Sequence, residues 1–259
     1  MTNNKRPLIL VTNDDGVSAP GIRALIEVAQ TIGEVCVVAP DSPQSGMGHA
    51  ITVNNTLYCD AVDLSNPDIQ IYSCSGTPVD CVKLAMSKIL KRKPDLCISG
   101  INHGSNSSIN VIYSGTMSAA VEAGTQGIPA IGFSLLDYSL EANFEPSKKY
   151  VEQLCRQALK KGMPKNVVLN VNLPNLPAEE IKGTKICRQA NAQWVESFDK
   201  RTNPHGREYY WLTGKFVNLD TGEDTDEWAL ENGYVSVVPV QFDLTAYTAL
   251  EHISKWELP

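Results

Sequence analysis

The first half of the chain alternates short, continuously apolar segments with segments that have the spacing of an amphipathic helix. The apolar segments are residues 8–11 (LILV), 34–40 (EVCVVAP), 95–99 (DLCIS) and 128–136 (IPAIGFSLL). An uninterrupted apolar run is typical of a strand that is buried on both faces of a parallel sheet. The alternation therefore predicts an α/β fold in which helices cover both faces of a mostly parallel sheet.

Capping residues indicate where the first helices begin and end. Residues 18–33 predict a helix with Ser18 as its N-cap and Gly33 at its end, and Thr77 precedes a second helix as its N-cap. Between these helices, residues 51–58 (ITVNNTLY) have the composition of an inserted hairpin.

The chain becomes richer in strand-forming residues from Ile181 onward. Residues 207–214 and 233–242 predict strands, and residues 245–258 predict a final helix. Residues 200–226 are polar and aromatic, unlike a compact core, which fits either an arm that packs on another subunit or a local surface hairpin.

Composition limits the partners. Twenty-two basic residues against 29 acidic ones give a formal net charge of −7, which excludes a nucleic-acid polymer as the expected partner. The seven cysteines form no C-x-x-C pair, so no disulfide framework is expected and a reducing cytoplasm fits best. The N-terminal apolar run is too short for a signal peptide, and no segment has transmembrane length.

Two adjacent aspartates, Asp14 and Asp15, follow the first apolar run. Neighbouring residues of a strand point to opposite faces, so both carboxylates reach one centre only where the chain leaves the strand, and Gly16 permits that bend. Two such charges about 4 Å apart repel by roughly 4 kcal/mol at an effective dielectric of 20. A divalent cation or a raised pKa of one acid removes the repulsion. An ordinary turn is the third interpretation.

The loops after the next strands carry neutral oxygen ligands. Ser45 lies in the loop at 40–49, and Asn102 and Asn106 lie in the loop at 99–106. Because parallel sheets bind ligands at the carboxyl ends of their strands, these side chains are expected near the aspartates. An all-oxygen set of this kind suits Mg²⁺ or Mn²⁺. The alternatives are a surface loop for Ser45 and turn positions for the two asparagines.

A phosphate site is indicated where the next helix begins. Ser114, Gly115 and Thr116 would present free amides and the positive end of the helix dipole, although ordinary N-capping also explains the serine and threonine. His49 lies in the loop at 40–49 and His103 in the loop at 99–106. Either is a candidate proton donor to a leaving oxygen or a partner of a ligand residue.

Other phosphate and nucleotide chemistries are excluded by missing residues. A receiver domain needs an acceptor aspartate after the third strand, where the chain has SGIN. A haloacid-dehalogenase-type phosphatase needs a nucleophilic aspartate at the position of Asn13. Neither a P-loop, nor G-x-G-x-x-G after the first strand, nor G-x-S-x-G is present.

The motifs as a series resemble those of one family. ILVTNDDG, VVAPDSPQSGMGHAIT, SGTPVDCVKLA, SGINHGSN and YSGTMSAAVEAG occur in the order found in the SurE family, stationary-phase survival proteins that act as metal-dependent 5′(3′)-nucleotidases. The resemblance covers residues 8–133 and resumes more weakly at 188–214 and 233–247. It implies a Rossmann-like three-layer α/β/α domain over residues 1–180. It also implies a C-terminal extension, 181–259, with a hairpin arm and final helix exchanged between subunits of a homodimer or homotetramer.

The resemblance also implies roles for individual residues. The metal ligands would be Asp14, Asp15, Ser45 and Asn102. The phosphate pocket would be formed by Asn106, Ser114, Gly115 and Thr116. Asp14 and Asp15 would be catalytic, with His103 a candidate acid.

The sequence thus predicts a cytoplasmic phosphomonoesterase with one Mg²⁺ or Mn²⁺ per subunit. Its substrates would be nucleoside 5′- and 3′-monophosphates, with short polyphosphate as a further substrate. A nucleotide- or metal-sensing module without turnover is the alternative. The second loop (41–46) and residues 188–194 carry fewer basic residues than in many relatives, although Arg188 remains, which leaves the preference among nucleotides and the activity on polyphosphate open.

Overall fold

The computed structural model of the chain describes residues 6–62, 69–139 and 141–258. Residues 1–5, which precede the first apolar run, and residues 63–68, which follow the expected inserted hairpin, lie outside this range. The strands are β1 (Leu8–Thr12), β2 (Glu34–Pro40), β3 (Cys59–Ala61), β4 (Ile69–Cys74), β5 (Leu96–His103), β6 (Ala130–Leu135), β7 (Val167–Leu173), β8 (Thr184–Ile186), β9 (Ala192–Thr202), β10 (Glu208–Asn218) and β11 (Val235–Gln241). The α-helices are α1 (Pro20–Ile32), α2 (Pro78–Leu84), α3 (Gly115–Thr125), α4 (Glu145–Lys161), α5 (Asp226–Glu231) and α6 (Tyr247–Ile253).

Nine strands of the described residues form one sheet in the order β3-β4-β2-β1-β5-β6-β7-β11-β8. All neighbours are parallel except the β3/β4 and β7/β11 pairs. The chain leaves β1 toward β2 on one side and returns through β5 on the other, so the strand order reverses between β1 and β5. Open α/β sheets bind ligands at such a switch point, beyond the carboxyl ends of the strands.

Both faces of the sheet are covered, which explains why its central strands are continuously apolar. Ile9 and Val11 of β1 pack in the cluster that includes α1 and α4, whereas Leu8 and Leu10 pack in the opposite cluster with α2 and α3. Burying all four side chains, at roughly 1.5–3 kcal/mol each, fixes β1 at the centre of the molecule. The three-layer α/β/α prediction is therefore confirmed.

Most helix boundaries agree with the prediction, and two local expectations are wrong. Thr77 caps α2 in a reciprocal capping box with Asp80, and Gly33 ends α1. Ser18 does not cap α1, because the helix begins one residue later with Ala19 at the N-cap and Pro20 in its first turn. Residues 51–58 form no hairpin; the antiparallel pair is formed instead by β3 and β4.

The C-terminal part divides between the main sheet and a separate hairpin. β8 and β11 extend the nine-stranded sheet beyond β7, while β9 and β10 pair only with each other over 11 residues in each strand. The predicted final helix is shorter than expected, spanning Tyr247–Ile253. None of the helices in the described ranges combines the length and apolar character needed to cross a bilayer.

Candidate functional site

The paired aspartates lie where β1 ends at the switch point. Gly16, with a φ of +99°, turns the chain after them, and the Asn13 side chain donates to the Gly16 carbonyl at 2.8 Å. Asp14 is buried and Asp15 is partly buried. Burial raises the pKa of Asp14 to about 6; a hydrogen bond from Thr116 opposes the rise, and the charge of Asp15 adds to it. The chain thus holds an acid in an environment that disfavours its charge.

The N-terminus of α3 contacts the same aspartate. The Thr116 hydroxyl donates a hydrogen bond to Asp14 Oδ1. A Cβ added at Gly115 would lie only 2.7 Å from the Asp14 Cβ, so the glycine is what permits this close approach. Ser114 is the N-cap, and its Oγ accepts from the Met117 amide at 3.0 Å. Gly115 and Thr116, two of the predicted phosphate residues, therefore contact Asp14 at the N-terminus of the helix.

A short loop after β2 reaches Asp14 through its backbone. The Gln44 amide donates to the Asp14 carbonyl at 2.7 Å, which brings the next residue, Ser45, to the rim of the site. Ser45 itself is exposed. The proximity of Ser45 to the acids thus depends on backbone contacts of its neighbour.

The end of β5 supplies a second group of side chains. Both the backbone amide and Nδ1 of His103 lie 3.1 Å from Asp15 Oδ2. The side-chain amide of Asn102 donates to the carbonyls of His103 (3.1 Å) and Gly104 (2.9 Å), which leaves its oxygen for a ligand. The register of β5 with β6 shifts between Ser99 and Asn102, and such bulges redirect side chains beside functional sites.

The imidazole of His103 is oriented from two sides. Its ring meets Phe144 edge-on, with centroids 5.0 Å apart, and Asp15 holds Nδ1. Nε2 is buried and has no hydrogen-bond partner within the described part of the chain. A buried ring nitrogen without a partner is a candidate position for contact with a ligand.

Asn106 is buried in a network of amides. Its side chain donates to Ser134 Oγ and its backbone amide to Asn172 Oδ1, both at 2.8 Å, while Asn170 donates to its carbonyl at 2.8 Å. Sequence reasoning identified Asn106 but missed Ser134, Asn170 and Asn172. The alternation of asparagine with apolar residues in NVNLP was the available signal, since a polar side chain inside a buried strand needs a partner.

The loop that carries Asn106 is fastened by the C-terminal part of the chain. Asp226 accepts from the amides of Ser108 (2.7 Å) and Ala190 (2.9 Å), and Ser107 Oγ donates to Glu227 at 2.5 Å. Ser108 has a φ of +51°, which few non-glycine residues adopt. We refer to these contacts between Ser107–Ser108 and α5 as the α5 clamp. No local pattern in the sequence predicted it.

His49 has a structural partner outside the acid pair. Its Nε2 lies 3.2 Å from Glu122 on α3, and Lys83 Nζ lies 2.7 Å from the other oxygen of that carboxylate. Burial alone would raise the pKa of Glu122, but these hydrogen bonds hold the pKa below its usual value. His49 thus ties the second loop to α3.

The side chains around Asp14 and Asp15 are oxygen donors that suit one class of metal ion. No group of three or more His, Cys, Asp and Glu suited to a metal is found in the described ranges. Asp14 forms no ion pair with a lysine or arginine within residues 6–62, 69–139 and 141–258, and burial raises its pKa. Two carboxylates with neutral oxygens nearby fit a hard divalent cation.

Comparison with known proteins gives a consistent result. The family model described as "Survival protein SurE" matches residues 9–196. The chain is 69% identical to a 5′-nucleotidase SurE of Christiangramia forsetii over 99% of both chains, and 67% identical to one of Flavobacterium psychrophilum over 98% of both. The crystal structure of a SurE protein from Aquifex aeolicus superposes with a TM-score of 0.83 at 41% identity, covering 96% of this chain and 98% of that one.

Proposed function

Because the chain belongs to the SurE family, we propose that it is a metal-dependent 5′-nucleotidase that hydrolyses nucleoside monophosphates to nucleoside and phosphate. The observation that carries this proposal is the contact between the acid pair and the N-terminus of α3. Thr116 is bonded to Asp14, and Gly115 lies against it. A cation on the acids and a phosphate on the helix amides would therefore be neighbours.

We assign the metal to Asp14, Asp15, Ser45 and Asn102, with one Mg²⁺ or Mn²⁺ per subunit. A divalent cation bound there supplies positive charge that polarises the phosphate and offsets the charge that builds up as the ester bond breaks. Burial raises the pKa of Asp14 to about 6, and a cation bound beside it would favour the ionised form.

The side chains of the protein then have distinct tasks. The amides at Ser114–Thr116, together with Asn106, hold the phosphate oxygens in place. Asp15 orients the imidazole of His103, so that Nε2 is the atom that carries a proton to the leaving oxygen. Water supplies the attacking oxygen, since Asn13 occupies the position where an aspartate nucleophile would stand.

The 5′-monophosphates are the expected main substrates, with 3′-monophosphates as a further class. Short polyphosphate should be a poorer substrate, because its extended charge needs more cations than the site offers. Arg188, the basic residue that remains within residues 188–194, already forms ion pairs with Asp220 (2.6 Å) and Asp224 (2.9 Å).

We further propose that the protein is a homodimer or homotetramer joined through the β9–β10 hairpin, exchanged between subunits. The hairpin exposes Phe198, Tyr210 and Leu212 on one face and Trp211 on the other, apolar side chains that an isolated two-stranded ribbon leaves in water. A reducing cytoplasm is the proposed location, since six of the seven cysteines are buried free thiols.

The proposal is tested by measuring phosphate release from a panel of nucleoside 5′- and 3′-monophosphates with Mn²⁺, with Mg²⁺ and with excess chelator. Steady turnover with either metal and its loss in chelator are expected. Nucleotide binding without turnover would identify a sensing module and overturn the proposal. Turnover undiminished by chelator would overturn the metal assignment alone.

A further inference from the structure

Three cysteines lie together at the β3 edge of the main sheet, outside the proposed nucleotidase site. Cys59 is in the edge strand β3, Cys74 ends the neighbouring strand β4, and Cys81 is in α2. The thiols of Cys59 and Cys81 each donate a hydrogen bond to the sulfur of Cys74. The proposed hydrolysis of nucleotides uses none of these three thiols.

The strand register places Cys59 and Cys74 within reach of a disulfide. They are directly opposite each other in the antiparallel β3/β4 pair. At the next position the Ser75 amide donates to the Tyr58 carbonyl at 2.9 Å, which makes that pair a hydrogen-bonded one. Because the two kinds of pair alternate, Cys59 and Cys74 form a non-hydrogen-bonded pair, whose Cα atoms lie about 4.5 Å apart. A disulfide needs Cα atoms roughly 4.4–6.8 Å apart, so this pair can be joined with little backbone movement.

The two sulfurs differ in their access to solvent. Cys59, on the edge strand, is only partly buried, whereas Cys74 and Cys81 are fully buried. An oxidant that arrives from solution therefore meets Cys59 first. Cys97 is a useful contrast, because it is also fully buried and burial raises the pKa of its thiol to about 12.

The buried sulfur stabilises a thiolate beside the accessible one. The pKa of Cys74 is lowered to about 7, because the Cys81 thiol donates a hydrogen bond to its sulfur, although burial opposes the shift. Burial and the charge of Cys74 raise the pKa of Cys59 to about 11. The pair therefore shares one negative charge near neutral pH. Transfer of the proton along the hydrogen bond between Cys59 and Cys74 places that charge on the accessible sulfur.

We propose that Cys59 and Cys74 are a redox modification site, at which a hydroperoxide forms a reversible disulfide between β3 and β4. The Cys59 sulfur attacks one peroxide oxygen, the O–O bond breaks, and the other oxygen leaves as water with the thiol proton. The Cys74 sulfur then attacks the resulting sulfenic acid, the S–O bond breaks, and the hydroxyl leaves as water with the second thiol proton. Two thiols are oxidised, and one hydrogen peroxide is reduced to two waters. This inference is independent of the proposed nucleotidase activity.

The test is to map disulfides after the reduced full-length protein has been treated with hydrogen peroxide at pH 7. Free thiols are blocked, and the chain is cleaved on the N-terminal side of aspartate, which places the three cysteines in separate peptides, 41–59, 68–79 and 80–94. A link between peptides 41–59 and 68–79 is expected, and dithiothreitol should remove it. The link should form at least about tenfold faster than Cys97 is oxidised, since Cys97 is fully buried.

Two variants identify the bonded pair. Cys59→Ala should abolish the link, whereas the matched control Cys81→Ala removes a neighbouring thiol and should keep it. Circular dichroism shows whether each variant is folded, and the wild-type peptide map decides the question if either is not.

Three outcomes in the wild type would overturn the inference. A link between peptides 68–79 and 80–94 would assign the bond to Cys74 and Cys81. Links only between chains, visible on a non-reducing gel, would identify an exposed thiol that reacts between molecules. Free thiols that persist at Cys59 and Cys74 after Cys97 has reacted would show that the pair has no special reactivity.

Discussion

The carboxyl end of the sheet and the β9–β10 hairpin are built in opposite ways. At the end of the sheet, polar side chains are buried and hydrogen-bonded, Asp14 with Thr116 and Asn172 with the backbone of Asn106. Along the hairpin, apolar side chains such as Phe198 and Leu212 are exposed. The first arrangement is costly unless a ligand or a partner group compensates the buried polarity, and the second is costly unless another surface covers it. Each region therefore indicates a different missing partner, a small charged ligand in one case and a protein surface in the other.

The largest effect should come from removing one charge at the end of the sheet. Asp14→Asn should lower phosphate release roughly 1,000-fold, because a cation ligand worth several kcal/mol is lost. The folded metal-free protein should not be weakened at neutral pH. The pKa of Asp14 is raised by burial to about 6, so its ionised form opposes folding above that pH, and asparagine removes this penalty. Kinetic assays and urea unfolding measure the two effects. Asp60→Asn, on the exposed edge strand β3, is the control and should change neither.

A smaller loss of activity is expected when a single methyl group is added at the start of α3. Gly115→Ala would place a Cβ 2.7 Å from the Asp14 Cβ and 2.9 Å from Oδ2, so the acid or the helix must shift. A displacement of about 1 Å at a reacting group costs about 100-fold in rate. The same clash is buried, so it should also destabilise the fold by roughly 1–3 kcal/mol, which urea unfolding measures. A fully active Gly115→Ala protein would contradict the close approach of helix and acid.

The α5 clamp fastens the loop after β5 to the C-terminal part of the chain, and its loss should lower the free energy of unfolding. Asp226→Asn replaces a buried charged acceptor that binds the Ser108 and Ala190 amides, which should destabilise the protein by about 2 kcal/mol. Urea denaturation provides the measurement. Asp224→Asn is the matched control, because Asp224 is exposed and pairs only at the surface with Arg188, so its loss should cost less than about 0.5 kcal/mol. Equal effects of both changes would show that the clamp contributes nothing specific.

Removing the positive charge of Lys83 beside Glu122 should lower the free energy of unfolding by an amount that depends on pH. The folded pKa of Glu122 lies below its ordinary value of 4.5, so the stability it contributes is present above that pH and is lost as the pH falls through the folded value. Lys83→Met should therefore cost about 1 kcal/mol at pH 7, since Lys83 is itself half exposed. The difference from wild type should shrink in acid. The control is Lys88→Met, which removes an exposed lysine five residues further along the chain and should show no such pH dependence.

The smallest effect on folding, and the clearest on assembly, is expected in the hairpin. Phe198→Ser with Leu212→Ser removes a cross-strand pair from its apolar face. The fold should be unchanged within about 0.5 kcal/mol, because these side chains are exposed within one chain. Light scattering should show the particle mass falling to that of a single chain. Ser197→Ala with Thr213→Ala, on the other face, is the control. An unchanged mass in the apolar-face variant would contradict a subunit contact there.

The parts of the molecule that follow from sequence are those set by local periodicity. Apolar runs such as residues 8–11 predicted the central strands, because burial on both sheet faces needs an uninterrupted apolar segment. The convergence of Asp14 with the α3 N-terminus followed from the rule that parallel strands end at one edge. Ser18 failed as a cap because the chain after Gly16 enters the helix at Pro20, whose fixed φ suits a first helical residue better.

The remaining site residues depend on contacts between distant segments. Asn172 binds the Asn106 amide across 66 residues of sequence, and Asp226 binds Ser108 across 118. The sequence NVNLP indicates that Asn172 needs a buried partner, but no local pattern shows which distant residue that partner is, and none marks Asp226 as the acceptor for Ser108. Only the tertiary fold shows that Asn106 is held on several sides before any phosphate meets it.

The clamp on Ser108 has a consequence for biosynthesis. The loop that follows β5 leaves the ribosome 118 residues before the aspartate that holds it, an interval of roughly 6 to 24 seconds at ordinary translation rates. During that time the Ser108 amide cannot reach its native acceptor. The nascent chain can therefore pair strands β1 to β7 first, and it completes the sheet with β11 and fastens the loop after β5 only when its last quarter emerges.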